Sequence, residues 1–262
     1  RLSTEEEGSA SSASECLDMP RSYSEAEPMF IFDWDDTMFP TWYIQEVVKP
    51  SSLGEPSEDS PFYEPLRSHA EALRTTLIAA REFGTVAIVT LAKRPWVEIC
   101  GKMLPGLNLE ELLEELGIEV YYARELVSKS TLNSARDEPG INVLEIIKRQ
   151  GMLKALRKNY GSLSKAMHVI CVGDSVVERQ AIMDVLWCDS PEKKICKTIK
   201  FLTDPSIAIL TLQLQILSLC YQKAVNEYND DLDISFEDFD VLGMITDSGE
   251  DICNTAQLLE HW

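Results

Sequence analysis

The stretch Met29-Phe-Ile-Phe-Asp-Trp-Asp-Asp-Thr37 joins an apolar run to three carboxylates within four residues. The apolar part, Met29–Phe32, is short and continuous, which is typical of a strand covered on both faces of a parallel sheet. In an open α/β sheet, ligands bind just beyond the carboxyl ends of the strands, where these three acids would project. Adjacent carboxylates repel each other, so we expect a cation as their partner. As an alternative, Asp36 and Thr37 could cap a helix or form a turn.

Short apolar runs alternate with longer amphipathic ones along the rest of the chain. Four further strands are predicted, at Thr85–Thr90, Ile118–Tyr122, His168–Val172 and Lys197–Leu202. The stretches between and after them predict helices at Pro65–Phe83, Pro95–Leu104, Leu109–Leu116, Ile141–Tyr160, Val176–Cys188 and Pro205–Glu227. Such alternation implies right-handed crossovers between parallel strands. The sequence therefore predicts an α/β fold with a doubly wound, Rossmann-like parallel sheet.

Composition divides the chain into three parts. Residues 1–27 are rich in Ser and Glu and poor in large apolar side chains, which predicts a disordered tail. Residues 28–228 form the predicted α/β domain. Residues 229–262 are acidic with scattered apolar side chains, and we expect a tail or a peripheral segment there.

Size and charge bound the possible classes of function. The chain has 262 residues, of which 45% are hydrophobic, and this suits one full-sized core. Its 24 Lys and Arg against 44 Asp and Glu give a net charge of −20, a field that repels nucleic-acid phosphates and anionic lipids. Nucleic acids and membranes are therefore not expected partners, and a phosphate site must create its own local positive potential. The sequence leaves the oligomeric state open.

The cysteines indicate a reducing compartment. Seven are scattered along the chain, an odd number, and no two have C-x-x-C spacing. This pattern predicts reduced, mostly buried thiols in a cytoplasmic or nuclear protein. A zinc site is not expected, because none of the three histidines lies near a cysteine pair.

Two further strand ends carry polar residues. The run Val86-Ala-Ile-Val-Thr90 ends in a hydroxyl, with Lys93, Arg94 and a predicted helix start after it, and such a setting suits a phosphoryl group. The run His168-Val-Ile-Cys-Val-Gly-Asp-Ser-Val-Val-Glu178 places an aspartate, Asp174, at the end of a strand. In that run Ser175 and Glu178 also fit a helix capping box, which does not account for Asp174.

These three sites together resemble the haloacid-dehalogenase superfamily over most of residues 28–203. Asp33-Trp-Asp-Asp-Thr37 is similar to its D-x-D-x-T first motif, Thr90 to its second, and Gly173-Asp-Ser-Val-Val-Glu178 to its fourth. The third motif is one lysine, and Lys148, Lys154, Lys158 and Lys165 lie in the interval where it is expected. We favour Lys148, in the first half of a helix leading to the last motif, with Lys154 as the runner-up. An ordinary solvated helix face is the alternative for each of them.

The resemblance implies a magnesium-dependent phosphatase. Asp33 would attack phosphorus and form an aspartyl-phosphate. Mg²⁺ would be bound by the Asp33 and Asp174 carboxylates and the backbone carbonyl of Asp35, since hard oxygen ligands favour this ion over zinc. Asp35 would protonate the leaving oxygen and then activate water. An acid at this position disfavours haloalkanoate dehalogenation.

The remaining site residues would support this chemistry. The resemblance implies that Thr90 and Lys148 hold the transferred group, and that Glu178 belongs to the metal site, where it orients a metal-bound water. Trp34 is bulkier, and Leu91 more apolar, than is usual in the family, and either could narrow the pocket.

The resemblance makes residues 28–228 the catalytic domain, in which residues 39–64 could form a small cap or flap at most, because Pro65–Phe83 already predicts a helix. With little or no cap domain, the site is expected to be open to a phosphorylated substrate, either a phosphoprotein or another bulky phosphoester.

Two other functions stay open at this stage. The same fold could serve as a non-enzymatic interaction module, with the acidic C-terminal and Ser-rich N-terminal segments recruiting partners. A phosphotransferase, which passes the phosphoryl group to an acceptor other than water, would have the same motifs.

Overall fold

The computed structural model describes residues 27–50, 53–137, 139–140, 142–187, 194–226 and 230–238. Six strands form one parallel sheet: β1 Met29–Phe32, β2 Thr85–Thr90, β3 Glu119–Tyr122, β4 His168–Gly173, β5 Ile195–Lys200 and β6 Leu232–Ser235. They lie in the order β3-β2-β1-β4-β5-β6. The prediction of a doubly wound α/β fold is confirmed.

Helices cover both faces of the sheet. The α-helices are α1 Thr41–Tyr43, α2 Tyr63–Phe83, α3 Trp96–Gly101, α4 Leu109–Glu115, α5 Lys129–Asp137, α6 Val143–Tyr160, α7 Val176–Trp187 and α8 Ile207–Asn226. A π-helical turn, Ile44–Val48, continues α1, and short 3₁₀ turns lie at Ala123–Leu126, Leu163–Lys165 and Phe236–Asp238. On one face α2 packs against α8, and on the other α6 packs against α7.

Strand β1 shows why its apolar run is continuous. Phe30 and Phe32 belong to the core under α2 and α8, whereas Met29 and Ile31 belong to the core under α6 and α7. All four side chains are buried, because β1 is the central strand between two helical layers. The sequence pattern thus follows directly from burial on both faces.

Three elements were not predicted. Strand β6 lies parallel to β5, with Lys197 opposite Leu232 and Lys200 opposite Ser235, inside the segment expected to be peripheral. Helix α1 and its π-helical turn lie in residues 39–64, and α5 lies in a stretch for which no helix was predicted. Strand β5 also begins at Ile195, two residues before its predicted start. The tail predicted at residues 1–27 lies outside the described residues except for Glu27, as do residues 239–262 of the acidic segment.

The sheet order brings the three polar strand ends together. Phe32 at the end of β1 pairs with Ile88 of β2 on one side and Val172 of β4 on the other. Since the strands are parallel, Asp33, Thr90 and Asp174 lie at the same edge, and the chain reverses its winding direction there. Such a switch point is where open α/β sheets bind ligands.

The described residues also include four cysteines and helices long enough to be compared with a membrane span. Cys100, Cys171, Cys196 and Cys220 are buried free thiols, as predicted for these four. A membrane-crossing helix, one with the necessary length and apolar character, does not occur among the described residues.

Candidate functional site

Asp33 extends β1 by one residue into the site. Its backbone N–H donates to the carbonyl of Val172 at 2.9 Å, which continues the ladder to β4. Its Oδ1 accepts a hydrogen bond from the Trp34 backbone N–H at 2.7 Å. Strand β4 therefore holds the backbone of Asp33 at the sheet edge, and the next peptide N–H holds its carboxylate.

Lys148 of α6 lies against Asp33. Its Nζ is 2.6 Å from Asp33 Oδ1 and 2.8 Å from Glu178 Oε1, and it donates to the carbonyl of Val89 at 3.0 Å. These three contacts use all three donors of the ammonium group. The exposed fraction of its side chain is 0%. Lys148 is thus a buried cation bridging two carboxylates.

The pKa values follow from burial and from the charge balance. Burial alone would lower the Lys148 pKa, but Asp33 and Glu178 raise it above its ordinary value. Burial would raise the pKa of Glu178, but the ion pair with Lys148 holds that pKa below its usual range. The pKa of Asp33 is raised well above its usual range, mainly by burial and further by Glu178 and Asp174. Burial and Glu178 also raise the Asp174 pKa to about 7. One lysine therefore does not offset three ionised acids, and the raised pKa values of Asp33 and Asp174 mean that their ionised forms are disfavoured without a further cation.

The three acids form a donor set for a cation. One carboxylate oxygen from each of Asp33, Asp174 and Glu178 can be chosen so that all lie within 4.8 Å of one another. Hard oxygen donors with uncompensated negative charge fit a divalent ion such as Mg²⁺. Both oxygens of Glu178 already have protein donors, Lys148 on Oε1 and the Ser175 hydroxyl, at 2.5 Å, on Oε2. Asp33 and Asp174 are thus better placed than Glu178 to bind a metal directly.

Two glycines permit this crowding. A Cβ at Gly173 would lie 2.4 Å from Cγ of Glu178, so only glycine lets that side chain fold back over the end of β4. A Cβ at Gly151 would lie 2.6 Å from Cγ1 of Val89, so glycine lets α6 approach β2 closely. That approach brings Lys148 within reach of the Val89 carbonyl. The sequence analysis included Gly173 in the fourth motif but missed Gly151, although a glycine inside a predicted helix was an available signal.

Asp35 lies on the outer side of the site. Its Oδ1 accepts hydrogen bonds from the Thr41 hydroxyl at 2.6 Å and from Trp96 Nε1 at 2.7 Å. Its Oδ2 lies 3.4 Å from the Thr90 hydroxyl, whose oxygen in turn accepts from the Ala92 N–H at 2.9 Å. Two donors thus fix one oxygen, and the other faces Thr90. Sequence reasoning missed Thr41 and Trp96, because their contact with Asp35 depends on tertiary structure.

Asp36 fits the turn alternative. Its backbone has φ 52°, in the left-handed region that aspartate tolerates, and its Oδ1 accepts from the Trp42 N–H at 2.8 Å. Burial raises its pKa to about 6. This aspartate holds the loop after β1, and Thr37 beside it is buried.

The structure separates the four candidate lysines. Lys154 and Lys165 are exposed, and Lys158 forms an ion pair with Glu119 at the start of β3, the opposite end of the sheet from Asp33. Of the four, the structure brings Lys148 to the site.

A cleft of about 780 Å³ opens next to Asp35. It is lined by Asp35, Thr41, Gln45, Leu91, Ala92, Lys93, Trp96 and Arg124. Leu91 therefore shapes this opening, as its unusual character suggested. Trp34 is instead fully buried and stacks on Phe39, with ring centroids 5.9 Å apart.

Comparisons with known proteins add little to this geometry. No protein-family model matches the chain, and no curated protein matches it. A solved structure, that of UTR4 protein (unknown transcript 4 protein) from Saccharomyces cerevisiae, is similar over 69% of this chain and 94% of its own, with 11% sequence identity. The TM-score is 0.36, too low to support an argument about fold or function. The α/β fold and the acidic cluster therefore rest on the described residues themselves.

Proposed function

We propose that this chain is a Mg²⁺-dependent phosphatase of the haloacid-dehalogenase type, which hydrolyses phosphomonoesters through an aspartyl-phosphate on Asp33. The observation that supports this most is the convergence of Asp33, Asp174 and Glu178 within 4.8 Å, with Lys148 bridging two of them. A purely structural role does not explain why two buried carboxylates and a half-buried third gather around one lysine, since burying excess charge costs free energy.

In the first step Asp33 is the nucleophile. One of its carboxylate oxygens forms a bond to phosphorus while the ester P–O bond breaks. Thr90 would hold a phosphoryl oxygen, and Lys148, beside Asp33, would supply positive charge to the transferred group. Asp35 Oδ2, next to Thr90, would give its proton to the leaving oxygen. When bound at Asp33, Asp174 and the Asp35 carbonyl, Mg²⁺ would neutralise charge on the transferred group.

In the second step Asp35 acts as the base. It takes a proton from water, whose oxygen forms a bond to phosphorus while the bond to Asp33 breaks. Inorganic phosphate leaves, and both aspartates return to their starting states. The cleft beside Asp35 would accept the leaving group, which can be bulky because of the 780 Å³ volume there.

Release of phosphate from 4-nitrophenyl phosphate, with and without Mg²⁺, tests this proposal. We expect Mg²⁺-dependent turnover that Asp33→Asn lowers by about 10³-fold or more, since the nucleophile is lost. Asp184→Asn, an exposed acid on α7, is the matched control and should keep wild-type activity. Mg²⁺ with beryllofluoride should also raise the melting temperature of the wild type, and not that of Asp33→Asn. A protein that binds neither ligand and turns over no ester in a broad panel would be an interaction module instead.

A further inference from the structure

The cleft beside Asp35 carries two cations without a carboxylate partner. Lys93 and Arg124 line it, and within the described ranges neither lies at ion-pair distance from an acid. The neighbouring Arg94 does have carboxylate partners, because its guanidinium lies 3.7 Å from Glu98 and 3.8 Å from Glu125. In a chain with a net charge of −20, the two cations Lys93 and Arg124 against the one carboxylate of Asp35 give the lining of this cleft a net positive charge.

The backbone connects these cations to the proposed phosphoryl site. Arg124 Nε donates to the carbonyl of Leu91 at 2.5 Å, which leaves the terminal nitrogens of its guanidinium for another acceptor. Leu91 follows Thr90 directly, and Ala92 donates to the Thr90 hydroxyl. The segment that presents Lys93 is therefore the segment that positions Thr90 against Asp35.

The cleft therefore has three chemically different parts. Asp35, the proposed acid, is half-buried, the Trp96 indole and Leu91 supply apolar surface, and the exposed Lys93 and Arg124 supply positive charge. A leaving group whose oxygen receives the Asp35 proton would extend along the apolar surface toward the cations. A negative group on that leaving group would then meet a charge-assisted hydrogen-bond donor.

We propose that Lys93 and Arg124 select phosphomonoesters whose leaving group carries a second negative charge, a carboxylate or a further phosphate. This deepens the proposed phosphatase function and rests on it. A local pair of cations also offsets the repulsion that the acidic chain exerts on such a substrate.

Two isosteric substrates separate charge from shape: 4-carboxyphenyl phosphate and 4-carbamoylphenyl phosphate. We expect kcat/KM to be about tenfold higher for the carboxylate, the effect of roughly one charged hydrogen bond. Lys93→Gln should reduce this ratio toward one, through KM of the carboxylate substrate. Lys129→Gln, an exposed lysine at the start of α5, is the control and should keep the ratio.

A binding measurement on Asp33→Asn distinguishes this proposal from the phosphatase proposal. Fluorescence titration, which can report on Trp96, would compare 4-carboxyphenylphosphonate with 4-carbamoylphenylphosphonate. Tighter binding of the carboxylate, lost in the additional Lys93→Gln variant, supports the cation site even where no ester is turned over. The cation-site proposal is overturned if the two phosphonates bind equally, if neither binds, or if the two esters are turned over equally. Equal turnover of the esters would leave the phosphatase proposal standing.

Discussion

The two sides of the candidate site differ in the partners that surround their ionisable groups. On the buried side, Asp33, Lys148 and Glu178 are at most 8% exposed, and the single lysine offsets part of the charge of the two acids through contacts of 2.6 and 2.8 Å. On the open side, Asp35 is half-buried, and its partners are the neutral donors Thr41 and Trp96. Lys93 lies beyond them in solvent.

Because of this difference, we expect the buried side to matter for folding and the open side to matter for substrate selection. A buried ion loses several kcal/mol of hydration, so its partners must be in place for the protein to fold. An exposed charge is screened by water, and changing it costs the fold little. We therefore expect changes on the buried side to affect stability and activity together, and changes on the open side to affect activity alone.

Lys148→Met should have the largest effect. It removes the single cation between two buried carboxylates, and breaking a buried pair costs about 3–5 kcal/mol. Urea unfolding in EDTA would measure this loss, and phosphate release should disappear with it. The control is Lys154→Met, an exposed position on the same helix, where we expect less than about 0.5 kcal/mol. A similar loss in both variants would mean that the buried side is not set apart by its charges.

The sequence predicted the buried side better than the open side, for a physical reason. Strands β1, β2 and β4 are continuous apolar runs because helices cover both their faces, so Asp33, Thr90 and Asp174 could be placed at one edge. Lys148 was chosen from four lysines by its place in a helix, and the structure brings it to Asp33. The contact that fixes it, the approach of Gly151 to Val89, is tertiary and leaves only a weak mark in the sequence.

The missed elements lie where burial is incomplete. Strand β6 is an edge strand with the acidic residue Asp233 between Leu232 and Ile234, so its short alternation resembles a polar segment. Trp96 lies after Pro95 at a predicted helix start, but nothing in that position indicates which acid its indole reaches. Side chains that reach across loops are set by the packed structure, and periodicity does not report them.

His69 is a buried titratable side chain that, unlike Asp33 and Lys148, has no ionised partner. It lies in α2 beneath the loop after β1, with Nε2 3.0 Å from the Met38 carbonyl and Nδ1 3.1 Å from the Thr211 hydroxyl. Burial lowers its pKa from 6.5 to about 4. The stability it contributes is therefore present above pH 6.5, where both states are neutral, and is lost as pH falls toward 4, because the unfolded chain binds the proton first.

We expect this residue alone to lower the free energy of unfolding by about 2 kcal/mol between pH 7 and pH 5. Urea unfolding of wild type and His69→Gln at both pH values would measure it as the difference between their pH dependences. His168 and the acids with raised pKa values are present in both proteins, so their contributions cancel. Equal pH dependences would show that His69 is not held neutral.

Trp96→Phe should have the smallest effect, and it tests the open side directly. The ring contact with Phe39, at 6.3 Å between centroids, can persist in phenylalanine, while the donor to Asp35 Oδ1 is lost. Thr41 still holds that oxygen, so we expect kcat to fall by about tenfold with KM unchanged, because an acid that is less well oriented transfers its proton less readily. Trp187→Phe, at a half-exposed tryptophan on α7, is the control for both rate and stability. The unfolding free energy of Trp96→Phe should change by less than about 1 kcal/mol. A loss as large as that of Lys148→Met would mean that Asp35 and its donors belong to the folding core, and the two sides of the site would then no longer differ.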